Sequence, residues 1–199
     1  MAVIPTRAAN PPKPRAVGAL TTQVGILGGR FDPPHLGHLA LARAAVDHFG
    51  LDELHVTVVA DAAHKASKAS AEDRLAMARL AFADLDAAVE LDPHRYTVDA
   101  LEAAGYDDPV FLIGADQLAD FPTWKEPERV LELARLGVAT RPGWQPREAS
   151  DRIEVFELEP HPVSSTEIRE RVRSGEPIDG LVAPAVAAYV AEHDLYREA

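Results

Sequence analysis

Short apolar runs alternate with amphipathic stretches from residue 24 to the end of the chain. Residues 24–29, VGILGG, join β-branched and leucine side chains and stop at two glycines, as a strand buried on both faces does. Over residues 36–49 the apolar positions 36, 39, 42, 46 and 49 follow a helical period, and Gly50 suits the C-terminal cap. The alternation continues with a strand at 54–60 and a helix at 70–82, where Ser70 is placed as N-cap and Asp73 in the first turn. A short strand is expected at 87–91, a helix at 97–104, a strand at 110–114, a helix at 128–134 and a strand at 135–140. A last strand at 153–158 leads into helices at 165–174 and 183–193.

Strands and helices in this order predict βαβ units, hence an α/β, Rossmann-like fold: a mostly parallel sheet with helices on both faces. One domain is expected over residues 23–199. In open sheets of this kind ligands sit at the carboxyl ends of the strands, near the point where strand order reverses, so the residues just after each strand are the ones to read for chemistry. Residues 1–22 break the pattern, with prolines at 5, 11, 12 and 14, the basic residues Arg7, Lys13 and Arg15, and no acid. They are expected to form a flexible arm. A mitochondrial transit peptide shares the basic, acid-poor composition but needs an amphipathic helix that the prolines disfavour.

Composition narrows the function. The 199 residues carry 32 acidic and 20 basic side chains, a net charge of −12. That field turns away nucleic acid and anionic membrane surfaces. The absence of cysteine excludes thiol nucleophiles, disulfides and Cys-ligated metal sites. No run of about 18 apolar residues exists, so no membrane span is expected and a cytoplasmic location is the default.

Directly after the first expected strand stands Gly28-Gly29-Arg30-Phe31-Asp32-Pro33-Pro34-His35-Leu36-Gly37-His38. Glycines there let the backbone approach a ligand, and the helix start behind them offers free N–H groups and a positive dipole end to a phosphate. The string is neither GxGxxG nor GxxxxGK followed by Ser or Thr, so the dehydrogenase and P-loop signatures are missing. Two histidines three apart share one face of a first helical turn. The spacing also suits metal chelation, but Asp32 is the one further ligand nearby and no metal site is expected. Without a function, the segment reads as a proline-rich loop with two surface histidines. Further on, Ser164 and Glu167 form a capping box at a helix start rich in hydroxyls, which is also where phosphates dock.

The first string resembles the GxFDPxHxGH signature of the nucleotidyltransferase superfamily, and residues 163–169, VSSTEIR, resemble its ISSTxIR motif with Val163 for the first Ile. The resemblance implies the nucleotidyltransferase variant of the Rossmann-like fold, ATP as a substrate, and Mg²⁺ carried on its phosphates. It implies that His35 and His38 contact those phosphates and stabilise charge at the α-phosphate. Gly28, Gly29, Arg30 and Phe31 would adjoin ATP, Ser164, Ser165 and Thr166 would lie near the β- and γ-phosphates, and Arg169 would pair with them.

Between the motifs, His64-Lys65, Tyr96-Thr97, Gly114-Ala115-Asp116, Phe121-Pro122-Thr123-Trp124 and Arg141-Pro142-Gly143-Trp144 are similar to the bacterial nicotinate-nucleotide adenylyltransferases. That resemblance implies transfer of the AMP unit of ATP to nicotinate mononucleotide, giving deamido-NAD and pyrophosphate. It puts Arg141 in the adenylate region and names four acceptor-binding residues: Lys65 towards a phosphate, Thr97 near the pyridine, Asp116 on a ribose hydroxyl and Trp124 stacked on the pyridine ring. The family usually has Thr or Ser where Arg30 stands, and Ser where Arg95 stands. Another acceptor (nicotinamide mononucleotide or phosphopantetheine) and a non-catalytic nucleotide-binding paralogue remain the alternatives. His48, His55, His94 and His193 show no partner pattern and read as surface or packing residues.

Overall fold

The computed structural model describes residues 22–60, 67–140, 150–159 and 161–197. Nearly all of the expected arm lies outside them, as do His64, Lys65, Arg141 and Trp144. Six strands, β1 (Val24–Gly29), β2 (Glu53–Val59), β3 (Ala87–Asp92), β4 (Val110–Gly114), β5 (Arg135–Thr140) and β6 (Ile153–Glu157), form one sheet ordered β3-β2-β1-β4-β5-β6. Every pairing is parallel. The helices are α1 (Leu36–Phe49), α2 (Ala71–Ala81), α3 (Thr97–Ala104), α4 (Ala115–Asp120), α5 (Pro127–Leu133), α6 (Ser165–Arg173) and α7 (Pro184–Glu192), with a 3₁₀ turn at Phe121–Thr123.

Local chemistry sets the helix ends. Gly50 takes φ 59°, and its N–H donates to Val46 O, closing α1. Ser70 Oγ accepts the Asp73 N–H at 3.0 Å and opens α2. α4, six residues long, had no visible period in the sequence because fewer than two turns cannot establish one.

The alternation of side chains along each strand builds two cores. Leu27, Leu54, Val56, Val58, Val110 and Leu112 face α1, α2 and α7, where Leu39, Met77 and Val186 meet them. Val24, Ile26, Phe111, Ile113, Leu136 and Val138 face the other side, covered by Val98 and Leu101 of α3 and Val130 of α5. That second cover stops short of the β2–β3 edge. There His55, Thr57 and Val59 of β2 form the floor of a cavity. Strand order reverses between β1 and β4, so the first glycine-containing loop opens at the switch point.

Candidate active site

The loop after β1 is braced from below by Arg74. This α2 side chain is 1% exposed, and burial lowers its pKa while the charge of Asp32 works against the shift; an arginine keeps its proton regardless. Its Nη1 donates to Arg30 O at 2.9 Å and Val59 O at 2.7 Å, and Nη2 to Ala60 O at 2.8 Å. One guanidinium thereby ties the carboxyl ends of β1 and β2 together.

Asp32, 2% exposed, is the second brace. Its Oδ2 accepts the Lys68 N–H at 2.7 Å, and its Oδ1 accepts the Ala69 N–H at 3.1 Å and the Tyr196 hydroxyl at 2.9 Å. The two motifs meet at the same place. Arg169 Nη1 donates to Asp32 O at 2.7 Å and Nη2 to Thr166 Oγ1 at 3.1 Å, and Ser165 Oγ donates to Pro33 O at 2.8 Å. Ser164 Oγ caps α6 by accepting the Glu167 N–H at 3.1 Å. Between the braces Phe31 holds φ 50°, a region uncommon for any residue but glycine. Its neighbours' carbonyls, on Arg30 and Asp32, are the two that Arg74 and Arg169 bind.

The histidines are not the two surface residues of the functionless reading. His35 is the N-cap of α1 rather than part of the helix, and its ring stacks on that of His38 with centroids 3.7 Å apart. The Phe31 ring stands edge-on to His38 at 5.0 Å. The His35 backbone N–H donates to His38 Nδ1 at 3.1 Å, so a neutral His38 carries its proton on Nε2 and presents it as a donor. Burial lowers His38 well below the usual histidine range, with a smaller contribution from His35; burial lowers His35 to about 4. Both rings are therefore neutral at pH 7 before an anion arrives. His35 Nδ1 is buried and has no hydrogen-bond partner among the described residues, while the ring face is covered by the stack on His38. A Cβ at position 37 would lie 3.1 Å from this same nitrogen, which explains the glycine between the histidines.

Packing gives Gly28 and Gly29 a reason of its own. A Cβ on Gly28 would stand 3.1 Å from the Phe111 ring, and one on Gly29 would stand 3.0 Å from the Phe31 ring. These glycines make room for aromatic side chains. Phe31, expected beside ATP, has its ring in the core, 2% exposed and edge-on to Phe82 at 5.7 Å.

A cavity of about 570 Å³ opens beside the loop. Gly28, Gly29 and Arg30 border it together with Thr97 and Trp124, so residues expected on the ATP side and on the acceptor side share one space. Trp124 is half-buried and stands edge-on to Phe111 at 6.2 Å and to Phe121 at 5.4 Å. Asp116 is exposed in the first turn of α4, whose N-cap is Gly114. It is the next residue, Gln117, that lines the cavity, and its Oε1 accepts the Gly114 N–H at 3.2 Å.

Four residues were missed or set aside in the sequence. His55 lines the cavity with its Nε2 3.1 Å from Tyr106 Oη, and His94 lines it with Nδ1 2.8 Å from Asp92 Oδ1. Arg74 and Tyr196 carried no signal at all, because their partners are backbone carbonyls and a carboxylate far away in the chain. The expected surface histidines do behave as such elsewhere: His48 pairs with Glu154 at 3.2 Å and His193 stacks on Tyr189. Among the described residues no cluster of three or more His, Asp or Glu could hold a metal ion, and no helix is long and apolar enough to cross a membrane.

The sheet is parallel and its loop at the switch point is braced, and the model of the cytidylyltransferase-like family matches residues 26–171, which places the chain in that class. Within that class the chain belongs to the nicotinate-nucleotide adenylyltransferase family. It is 37% identical over 195 residues to a Bordetella avium protein named "Probable nicotinate-nucleotide adenylyltransferase", covering 89% of this chain and 99% of that one. A Thermus thermophilus protein of the same name is 39% identical over 185 residues, covering 88% of this chain and all of the relative. The fold matches the Plasmodium falciparum nicotinic acid mononucleotide adenylyltransferase complexed with NaAD, at TM-score 0.71 and 18% identity over 88% of this chain and 97% of that one.

Proposed function

We infer that the protein joins the AMP unit of ATP to nicotinate mononucleotide, giving deamido-NAD and pyrophosphate in the biosynthesis of NAD. The observation that carries this reading is the fastening of the second motif onto the first: Ser165 on Pro33 O and Arg169 on Asp32 O, in a chain that matches adenylyltransferases over nearly their whole length.

In the reaction a phosphate oxygen of the acceptor attacks the α-phosphorus of ATP. A P–O bond forms there as the bond to the β-phosphate's bridging oxygen breaks, and pyrophosphate leaves with that electron pair. A phosphate monoester has its second pKa near 6, so the nucleophile is already deprotonated and no general base is needed. What remains is positioning and electrostatic stabilisation.

His38 offers Nε2–H to the α-phosphate, with His35 stacked against it. Charge from an arriving phosphate raises both histidines towards protonation, strengthening the interaction as charge builds. The α6 start, with Ser164, Ser165, Thr166 and Arg169, receives the β- and γ-phosphates. Gly28, Gly29 and Arg30 border the join between the two substrates, with the Phe31 backbone beside them. Arg141 is assigned to the adenylate, Lys65 to a phosphate and Asp116 to a ribose hydroxyl. Thr97 and Trp124 take the pyridine ring in the cavity. Mg²⁺ enters with the triphosphate as part of the substrate.

Pyrophosphate release measured with nicotinate mononucleotide, nicotinamide mononucleotide and phosphopantetheine tests the assignment. Turnover with the first at the highest kcat/KM is the expected result. Preference for either of the others reassigns the acceptor, and silence on all three with retained ATP binding makes the chain a nucleotide-binding paralogue.

A further inference from the structure

The buried carboxylate of Asp32 has no part in the reaction as derived, yet it lies within the motif that carries the histidines. Three donors satisfy it. Two are backbone N–H groups, of Lys68 and Ala69; the third is the phenol of Tyr196, 164 positions away in sequence. Of the three, Tyr196 alone is a side chain. The chain holds it there against local preference, since Tyr196 has φ 66°, in the left-handed region. Burial first, then the charge of Asp32 and the hydrogen bond to it, raises the phenol above its ordinary value. It stays a protonated donor across the physiological range.

We propose that Tyr196 is a positioning residue for nucleotidyl transfer: by donating its hydroxyl to Asp32 it fixes the loop between β1 and α1 and, through that loop, the direction in which His38 presents Nε2–H. This rests on the reading of that loop as the triphosphate site. The geometry runs through few steps. Asp32 adjoins Phe31, whose ring stands against His38, and its own carbonyl is the acceptor for Arg169. With the carboxylate less firmly held, the Phe31 edge and the Arg169 contact shift together, and both motifs lose register on the triphosphate.

The same terminal segment supplies a control. Tyr189 Oη donates to Asp73 Oδ1 at 3.0 Å, a tyrosine–aspartate bond of the same chemistry placed in the first turn of α2 rather than on the loop that carries His35 and His38. The experiment compares Tyr196→Phe, Tyr189→Phe and the parent protein. It reads thermal unfolding, steady-state kinetics with ATP and nicotinate mononucleotide, and calorimetric affinity for a non-hydrolysable ATP analogue. Both variants fold, with similar small losses of melting temperature. Tyr196→Phe alone loses about tenfold in kcat, the worth of a hydrogen bond to a charged group, and binds the analogue several-fold more weakly, while its KM for the acceptor is unchanged. Matching kcat and analogue affinity in the two phenylalanine variants overturns the proposal. If the parent protein turns over no acceptor yet binds the analogue, the assigned reaction fails, and the affinity ratio between Tyr196→Phe and parent still decides this inference. A parent protein that binds no analogue sinks both.

Discussion

The two sides of the site are built in opposite ways. On the side assigned to the phosphates, side chains hold the backbone: buried Arg74 grips the carboxyl ends of β1 and β2, buried Asp32 collects three donors, and half-buried Ser165 and Arg169 clasp the loop from α6. On the side assigned to the pyridine the cavity is bordered by the sheet edge and by exposed or half-buried residues such as Arg95, His94 and Lys125, and the Trp124 ring is held edge-on to Phe111 and Phe121 with no side-chain hydrogen bond to it among the described residues. In the proposed reaction the first side presents donors to developing charge without rearranging at the moment of reaction, which demands preorganisation. The second takes, in that same proposed reaction, a planar ring, for which area and shape suffice. Substitutions on the braced side therefore strike kcat or stability, and those on the open side strike acceptor KM.

The largest effect is expected from His38→Ala. Loss of a preorganised donor to the α-phosphate lowers kcat by about 10²–10³-fold, with the melting temperature little changed; near-parental pyrophosphate release from this variant would falsify the role given to Nε2–H. Arg74→Met comes next. Three strand-end carbonyls that now accept from the guanidinium lose a charged donor, and denaturant unfolding should report a loss of about 3 kcal/mol. A loss under about 1 kcal/mol, the worth of an ordinary hydrogen bond, would mean that the loop holds itself.

The neutral histidines make the braced side sensitive to acid. His35 has its folded pKa lowered from 6.5 to about 4, so between those values the unfolded chain binds a proton that the folded one refuses. The stability this group contributes is fully present above pH 6.5 and falls by about 1.4 kcal/mol per unit as pH drops towards 4. Unfolding free energies at pH 7 and pH 5 check this: the drop should be smaller in His35→Gln, and an equal drop refutes the shift.

On the open side, Trp124→Ala should raise KM for the acceptor about tenfold, the worth of one stacked ring, while KM for ATP stays put; a change in kcat alone would break the division between the sides. The smallest effect is expected from Arg95→Ser, which gives this exposed position the residue usual in the family. Acceptor KM should rise about twofold at low salt and not at all at high salt, as befits a screened surface charge.

Much of this was legible in the residues. The strand and helix order, the parallel sheet and the two motifs follow from periodicity and from local strings, because strands buried on two faces and capped helices leave local patterns. The rest was not legible, for identifiable reasons. In the helix at 70–82 Arg74 looks like any polar-face residue, since nothing nearby reveals that its acceptors are strand-end carbonyls. Gln117 rather than Asp116 lines the cavity because one position on a helix turns a side chain through about 100°, a phase that a six-residue helix does not disclose. Glycines 28 and 29 suggested backbone close to a ligand, and the rings of Phe111 and Phe31 add a packing reason that no local string shows.

By itself the sequence determined the architecture and the two motifs, with the proposed site at the strand ends, all properties of short segments. The tertiary structure alone decided that His35 and His38 are neutral, that the second motif is locked onto the first, and that Arg74, Asp32 and Tyr196 brace the loop between them. Burial and long-range hydrogen bonds to the backbone depend on which segments meet. A main-chain carbonyl carries the same chemistry whatever residue it belongs to, so nothing along the chain announces it as a partner.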